Sequence, residues 1–201
     1  MFYKIFRIIA KIIIWPLYRV HVVGIENIPK DEGYILCANH KSMLDPIFLA
    51  IAFPSHIRFM GKKELFNNKL LGGLLNALGA FPVDRESRDL ASLKKSIKLL
   101  KDEKTLGIFP EGTRTQNIAR ENMKDGVAYI ALKAKKDILP VEIVSTFKPF
   151  RKTYIYINEV INVDKYLNMK SKEAMAKMTD QVYLDIYKRQ LEEKKEIKWK
   201  L

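Results

Sequence analysis

The chain alternates short apolar runs typical of β-strands with segments whose apolar residues recur at helical spacing. This alternation favours the α/β class, with a mixed, largely parallel sheet flanked by helices, because parallel strands need long crossover connections. The predicted strands are "VHVVG", "YILCAN", "IRFMG", "AFPV", "TLGIF", "ILPVEIV" and "KTYIYINEVI", with helices beginning near Pro46, Lys69, Leu90 and Val127. At 201 residues we expect a single domain core.

The N-terminal stretch "MFYKIFRIIAKIIIWPLYR" is apolar, yet three basic residues interrupt it, so it fits neither a secretion signal nor a membrane span. On a helix, Lys4, Arg7 and Lys11 would lie within about 60° of one another. That pattern predicts an interfacial helix whose basic residues lie among anionic headgroups. Its aromatic anchors would be Tyr3, Trp15 and Tyr18. The alternative is a core helix whose lysines extend to water.

The chain divides into three predicted regions. Residues 1–19 form the membrane-associating amphipathic helix, residues 20–165 the α/β core, and residues 166–201 a helical, charged region packed on or beside the core. In the last region, apolar residues recur at helical spacing at Met175, Met178, Val182 and Ile186. The charged tail that follows them, "KRQLEEKKEIKWK", is predicted to be a solvated face.

The charge balance predicts an anionic partner. Thirty-six Lys and Arg residues against 23 Asp and Glu residues give a formal net charge of +13, which suits phospholipid headgroups, an acyl carrier, a nucleotide cofactor or nucleic acid. The aromatic residues do not alternate with basic ones as on a base-stacking surface, so we expect no nucleic-acid partner. A lone cysteine, Cys37, excludes an intrachain disulfide. His21, His40 and His56 are scattered, and we expect no metal site.

The segment "NHKSMLDP" places His40 five residues before Asp45. On a continuous helix the two side chains would point about 140° apart, so they can share a site only across a loop-to-helix boundary. In that geometry the carboxylate fixes the imidazole tautomer, and the second ring nitrogen is left as a base. The alternative is an N-cap aspartate beside a surface histidine. Ser42 is a weak candidate nucleophile, because the chain has no GxSxG motif.

A second polar segment, "FPEGTRT", follows the strand-like "TLGIF". Ligands gather beyond the carboxyl ends of strands in open α/β sheets, so this loop and His40 would face one crevice if their strands are parallel neighbours. Gly112 permits a tight turn, the Thr113 hydroxyl can donate, and Arg114 suits a phosphate. The alternative is a surface turn with a Glu111–Arg114 ion pair. In "GAFPVDR", Arg85 is either a phosphate contact or a partner of Asp84.

The segments "NHKSMLD", "GAFPVDR", "FPEGTR" and "ILPV", in this order, resemble the four sequence blocks of the glycerolipid acyltransferase family. The resemblance extends from about residue 20 to residue 160. It implies that His40 is the general base and Asp45 its orienting partner. It further implies that the acceptor is bound by Arg85, Glu111, Gly112, Thr113 and Arg114, whereas Pro140 is structural. One departure is "PV" at residues 82–83, where many members carry phenylalanine.

The resemblance also implies substrates and location. An acyl thioester, either acyl-CoA or acyl carrier protein, would be the co-substrate with no further cofactor, and lysophosphatidate would be the acceptor. The enzyme would bind membrane phospholipids as a peripheral or monotopic protein at the cytoplasmic face of the cell membrane. Two alternatives stay open: another acceptor, such as glycerol 3-phosphate or a different lysophospholipid, or a non-catalytic basic membrane-binding protein for which His40 is dispensable.

Overall fold

The computed structural model describes residues 2–31, 33–84 and 89–198, with side chains up to residue 193. Its seven strands form one sheet in the order β1-β7-β6-β2-β5-β3-β4. The strands are β1 (Val20–Val23), β2 (Ile35–Ala38), β3 (Arg58–Lys62), β4 (Phe81–Val83), β5 (Leu106–Ile108), β6 (Ile138–Ser145) and β7 (Thr153–Ile157). All neighbours are parallel except β6 and β7, which are antiparallel. The predicted fold class is confirmed.

Helices connect the strands and cover both faces of the sheet. They are α1 (Phe2–Leu17), α2 (Asp45–Ala52), α3 (Lys69–Ala77), α4 (Leu90–Lys101), α5 (Gly126–Ala134), α6 (Asp164–Leu167), α7 (Ser171–Ile186) and α8 (Lys188–Lys198). Short 3-10 turns lie at Ile25–Asn27, Lys63–Phe66 and Arg120–Asn122. The predicted helix starts near Pro46, Lys69, Leu90 and Val127 each fall within one residue of an observed start.

Strand β2 divides the core into two layers, because successive side chains of a strand point to opposite faces. Ile35 and Cys37 pack with α4, α5 and α7, whereas Leu36 and Ala38 pack with α1 and α2. All four side chains are fully buried. Burial also raises the pKa of the Cys37 thiol well above its usual value, so this cysteine is a neutral core residue.

Helix α1 packs on the core through one face only. Arg7 donates to the carbonyl oxygens of Phe53 and Pro54, at 2.9 and 2.6 Å, and so caps the end of α2. Tyr3 stacks on His56 and Tyr18 packs edge-on against Phe48. The expectation that Arg7, Tyr3 and Tyr18 all face headgroups is therefore wrong, because the protein core engages them. The opposite face exposes Phe2, Ile5, Ile8, Ile9, Ile12 and Ile13, each at least 49% accessible. Among the described helices, none combines the length and apolarity needed to cross a bilayer.

The charged tail begins as a docked helix and not as a solvated face. The backbone N–H groups of Arg189 and Gln190, in the first turn of α8, donate to the carboxylate of Glu142 in β6. Glu142 is fully buried, and an uncompensated buried carboxylate is costly, so the free N–H groups of a helix start stabilise it. The Arg189 guanidinium lies over the Tyr156 ring, 3.8 Å from its centroid. The prediction of a solvated tail is wrong for this first turn.

Candidate active site

His40 and Asp45 form a buried hydrogen-bonded pair across the boundary between the β2 loop and α2. The distance from His40 Nδ1 to Asp45 Oδ2 is 2.9 Å, and the same oxygen accepts the backbone N–H groups of Lys41 and Ser42, each at 2.7 Å. Two backbone N–H groups already donate to this oxygen, as expected for an ionised carboxylate, which can only accept; Nδ1 is therefore assigned as the third donor and carries the proton. No described residue hydrogen-bonds to Nε2, which leaves its lone pair available for a substrate.

Both alternative interpretations of this pair are wrong. Asp45 is not an N-cap, because Leu44 is the capping residue of α2 and the carboxylate bonds loop N–H groups upstream of the helix. His40 is not a surface residue, because it is only 8% exposed. Its ring stacks on Phe109, with 4.2 Å between centroids, and Phe109 stacks in turn on Phe59 at 5.7 Å. The aromatic column fixes the imidazole plane.

The loop after β5 lies against the loop after β2, because these strands are parallel neighbours, as the prediction of one crevice required. The backbone N–H of His40 donates to Glu111 Oε1 at 3.0 Å, and the N–H of Thr115 donates to the His40 carbonyl at 2.9 Å. On the other side of β2, Asn39 exchanges two hydrogen bonds with the backbone of Ile143. His40 is therefore held by both neighbouring strands.

Glu111 faces inward and does not pair with Arg114. It is 4% exposed, and its Oε1 accepts the Tyr187 hydroxyl at 2.6 Å in addition to the His40 N–H. Burial raises the pKa of Glu111, while the hydrogen bonds from Tyr187 and His40 oppose that shift. Burial and the adjacent Glu111 carboxylate also raise the pKa of Tyr187, which keeps its hydroxyl protonated as a donor. The alternative interpretation, a surface ion pair between Glu111 and Arg114, is wrong.

The rest of the "EGTR" loop forms an exposed basic rim. Gly112 has φ 70°, and a Cβ there would lie 2.9 Å from Lys124 Cε. Thr113, Arg114 and Lys124 are exposed, and Arg114 forms no ion pair with any residue that the structure describes. The rim can therefore meet an anionic group from solvent.

The remaining predicted site residue, Arg85, lies outside the described residues. Its neighbour Asp84 follows β4, the edge strand two positions from β5, and binds Lys63 Nζ at 2.6 Å. Pro140 lies inside β6, opposite Cys37 of β2. In the described ranges, no group of three His, Cys, Asp or Glu side chains is arranged to hold a metal ion.

A cavity of about 380 Å³ opens beside the loop after β5. Its lining includes Phe109, which stacks on His40, and Gly112 and Lys124 of the basic rim. Its walls are mostly apolar and include Met60, Leu93, Ile108, Val127 and Ile130. The cavity can therefore hold an apolar chain next to the aromatic column.

Nothing in the sequence indicated that Tyr187 and Lys124 belong to this site. Tyr187 reaches Glu111 only because α7 packs on the sheet, and its separation of 76 residues gives no local signal. Lys124 lies in "KDGVAYIA", where the glycine and the helical spacing marked only a helix start. Its place over Gly112 depends on the backbone bond from the Lys124 N–H to the Pro110 carbonyl, at 2.9 Å.

Comparisons with known proteins agree with this geometry. The model of the family described as Acyltransferase matches residues 19–144. The 1-acyl-sn-glycerol-3-phosphate acyltransferase of Bacillus subtilis is 36% identical over 184 residues, covering 89% of this chain and 92% of the relative. The enzyme of the same name from Streptococcus pneumoniae is 39% identical over 145 residues, or 70% of this chain and 53% of the relative.

A solved structure shows the same architecture. The crystal structure of the 1-acyl-sn-glycerophosphate (LPA) acyltransferase, PlsC, from Thermotoga maritima superposes with a TM-score of 0.72 at 28% identity. The match covers 96% of this chain and 79% of that chain. On the family match, the relatives and the shared fold, this chain belongs to the Acyltransferase family and is an acyltransferase.

Proposed function

We propose that the chain transfers an acyl group from an acyl thioester to the free hydroxyl of 1-acyl-sn-glycerol 3-phosphate, forming phosphatidate. The acceptor is supported by the names of the relatives, which cover the chain almost completely. The observation that carries the chemistry is the buried His40–Asp45 pair, whose protonated Nδ1 leaves Nε2 as a base. The chain needs no nucleophile of its own, because the acceptor hydroxyl supplies one.

In the proposed reaction, His40 Nε2 takes the proton of the acceptor hydroxyl as its oxygen attacks the thioester carbonyl carbon. The Asp45 carboxylate stabilises the imidazolium that forms, since it already accepts the Nδ1 proton at 2.9 Å. The carbon–sulfur bond then breaks, and the proton passes from His40 to the departing sulfur. The products are the ester and a free thiol, either coenzyme A or the acyl carrier protein.

The basic rim supplies the acceptor's phosphate site in this proposal. Arg114 and Lys124 offer positive charge and Thr113 a hydroxyl donor, while Arg85 belongs to the same role by its sequence block. Glu111 binds His40 and Tyr187 and is buried, so it positions the base instead of contacting an anion. Gly112 lets Lys124 lie over the loop.

The cavity and helix α1 have separate roles in this proposal, the first in binding an acyl chain and the second in binding the membrane. The apolar cavity beside Phe109 accommodates an acyl chain. The exposed apolar face of α1 rests on a leaflet, so residues 1–19 act as a membrane-associating helix. Residues 20–165 are the catalytic core, and residues 166–201 support it. In this proposal the enzyme works at the cytoplasmic face of the cell membrane, as a peripheral or monotopic protein.

Acceptor profiling tests the proposal. The wild-type protein is given lysophosphatidate, glycerol 3-phosphate or lysophosphatidylcholine in lipid micelles, with acyl-CoA and with acyl carrier protein as donors. We expect phosphatidate as the main product, and we expect Arg114→Gln to raise the KM for lysophosphatidate by roughly tenfold, while Lys101→Gln on α4 leaves it unchanged. Equal rates with glycerol 3-phosphate, which lacks the acyl chain, or with lysophosphatidylcholine, which lacks a terminal phosphate, would contradict the assignment.

A further inference from the structure

The loop between β6 and β7, residues 146–152, lies at the same edge of the sheet as His40. The starts of β1 and β7 are paired at Val20 and Thr153, and Thr153 is also paired with Ser145 at the end of β6. Strand β6 is in turn the parallel neighbour of β2, whose carboxyl end leads to His40. Because β6 lies directly beside β2, this loop begins one strand position away from the strand that leads to His40.

The loop is fixed to the protein by one aromatic residue and presents another to solvent. Phe147 stacks on Phe48 in the core layer of α1, at 6.2 Å between centroids, and its N–H donates to Ser145 Oγ at 2.9 Å. Phe150 is 67% exposed, and its N–H donates to the carbonyl of Leu17 at the end of α1, at 2.6 Å. The backbone that carries the exposed ring is therefore held at the carboxyl end of α1, the helix whose outer face exposes the isoleucines.

Four cations lie in the two segments that the hydrogen bond from the Phe150 N–H to the Leu17 carbonyl joins. Arg19 follows α1, and Lys148, Arg151 and Lys152 flank Phe150; all four are exposed. None of them forms an ion pair with a residue in the described ranges. An exposed aromatic ring in a loop that carries unpaired cations suits the boundary of an anionic bilayer, where rings lie at headgroup depth and cations meet phosphates.

We propose that the loop of residues 146–152 is a second membrane contact, which places Phe150 among the headgroups of an anionic leaflet and turns the His40 edge of the sheet toward it. The proposal rests on the proposed use of a membrane-held acceptor. Continuity with α1 favours a lipid surface over an acidic carrier protein, because the adjoining face of α1 is apolar and offers a carrier no charge to pair with.

Vesicle flotation of the full-length protein tests the loop directly. Phe150→Asn removes the ring, and asparagine tolerates the left-handed backbone at φ 62°. Its control, Leu184→Asn, changes an apolar side chain of similar exposure on α7, which packs on the other face of the sheet. We expect Phe150→Asn to reduce partitioning to phosphatidylcholine–phosphatidylglycerol vesicles by roughly tenfold, and the control to leave it unchanged.

A charge-neutral variant tests the cations. Substituting Lys148, Arg151 and Lys152 with glutamine should reduce partitioning by roughly 100-fold at low salt, since each surface cation contributes about fivefold, with little effect on pure phosphatidylcholine vesicles. The matched control substitutes Lys94, Lys101 and Lys172, which are exposed on α4 and α7. Wild-type partitioning of both loop variants would overturn the proposal.

Activity assays separate this proposal from the proposed function. Both loop variants should keep wild-type rates with a short-chain, fully water-soluble lysophosphatidate and lose rate only with acceptor in vesicles. If the wild-type protein has no activity with any acceptor, the proposed function is wrong. Flotation still tests whether the loop contacts the membrane, because that measurement does not depend on activity. If partitioning is unchanged and the KM rises for acyl carrier protein but not for acyl-CoA, the loop binds the carrier and the membrane assignment is overturned.

Discussion

At the scale of single residues, the carboxylate of Glu111 is the unexpected component of the site. One of its oxygens accepts both the His40 N–H and the Tyr187 hydroxyl, while Oε2 has no partner among the described residues. The spacing of "NHKSMLD" allowed the His40–Asp45 pair as one of two interpretations, because a strand-to-helix boundary can be recognised in a local sequence, and the family resemblance favoured the pair. The inward orientation of Glu111 could not be predicted, since "EGTR" fits an exposed ion pair equally well until the packing of α7 is known.

The charge of Glu111 makes stability depend on pH. Burial raises its pKa above the ordinary value of 4.5, so the folded protein binds this proton more tightly than the unfolded chain does. The free energy of unfolding therefore falls as pH rises from about 4.5 through the raised pKa. In urea titrations across this range, we expect wild type to lose stability relative to Glu111→Gln. Parallel stability curves for the two proteins would contradict the sign.

The Tyr187 hydroxyl should matter for both stability and rate. Tyr187→Phe leaves Glu111 with one donor fewer, so we expect a loss of about 1–2 kcal/mol in unfolding free energy. We expect kcat to fall by roughly tenfold with little change in KM. The reason is that Glu111, which accepts the His40 N–H, loses the hydrogen bond from Tyr187 that fixes its side chain. Tyr183→Phe, one turn earlier on α7, is the control, since the Tyr183 hydroxyl does not bond Glu111. Equal effects of the two substitutions would show a general packing role.

At the scale of elements, β5 shapes the site through a glycine. A Cβ at Gly107 would lie 2.4 Å from Phe59 Cε1 and 2.7 Å from Ile57 Cγ2, far inside van der Waals contact. Phe59 supports Phe109, which supports the His40 ring. The glycine therefore allows the aromatic column to approach the sheet.

Gly107→Ala should push this column toward the base. We expect a loss of about 1–3 kcal/mol in unfolding free energy, together with reduced kcat. The control is Gly73→Ala on α3, where an added Cβ meets no atom within 4 Å and the helix is expected to gain about 0.5–1 kcal/mol. Chemical denaturation and initial rates of both variants test this prediction. A Gly107→Ala protein as stable as wild type would contradict the proposed role of the glycine.

Elements were more predictable than their contacts. The short apolar runs predicted all seven strands. The segment "KTYIYINEVI" was expected to form one long strand, whereas β7 ends at Ile157. Asn158 leaves the strand because its side chain donates to the Asp185 carbonyl at the end of α7 and its N–H donates to the Pro140 carbonyl. The docking of α8 likewise follows from buried Glu142, whose carboxylate requires hydrogen-bond donors. The pattern "VEIV" does not indicate this requirement.

At the scale of the whole molecule, the strand order unites segments that are far apart in the chain. Because β2 lies between β5 and β6, the loops carrying His40 and Glu111 meet at one edge, and α7 brings Tyr187 to the same place. The order could not be predicted from local patterns, since pairing depends on how helices pack on the sheet. We propose that this edge carries a His–Asp base for acyl transfer.

The most direct test compares wild type, His40→Ala and His21→Ala, the last substituting an exposed histidine on β1 as a control. With matched folding by circular dichroism, thiol release and phosphatidate formation are measured from lysophosphatidate and an acyl thioester in lipid micelles. We expect His40→Ala to lose at least about 100-fold in rate and His21→Ala to retain wild-type activity. A His40→Ala protein with wild-type activity would contradict the assignment of the base.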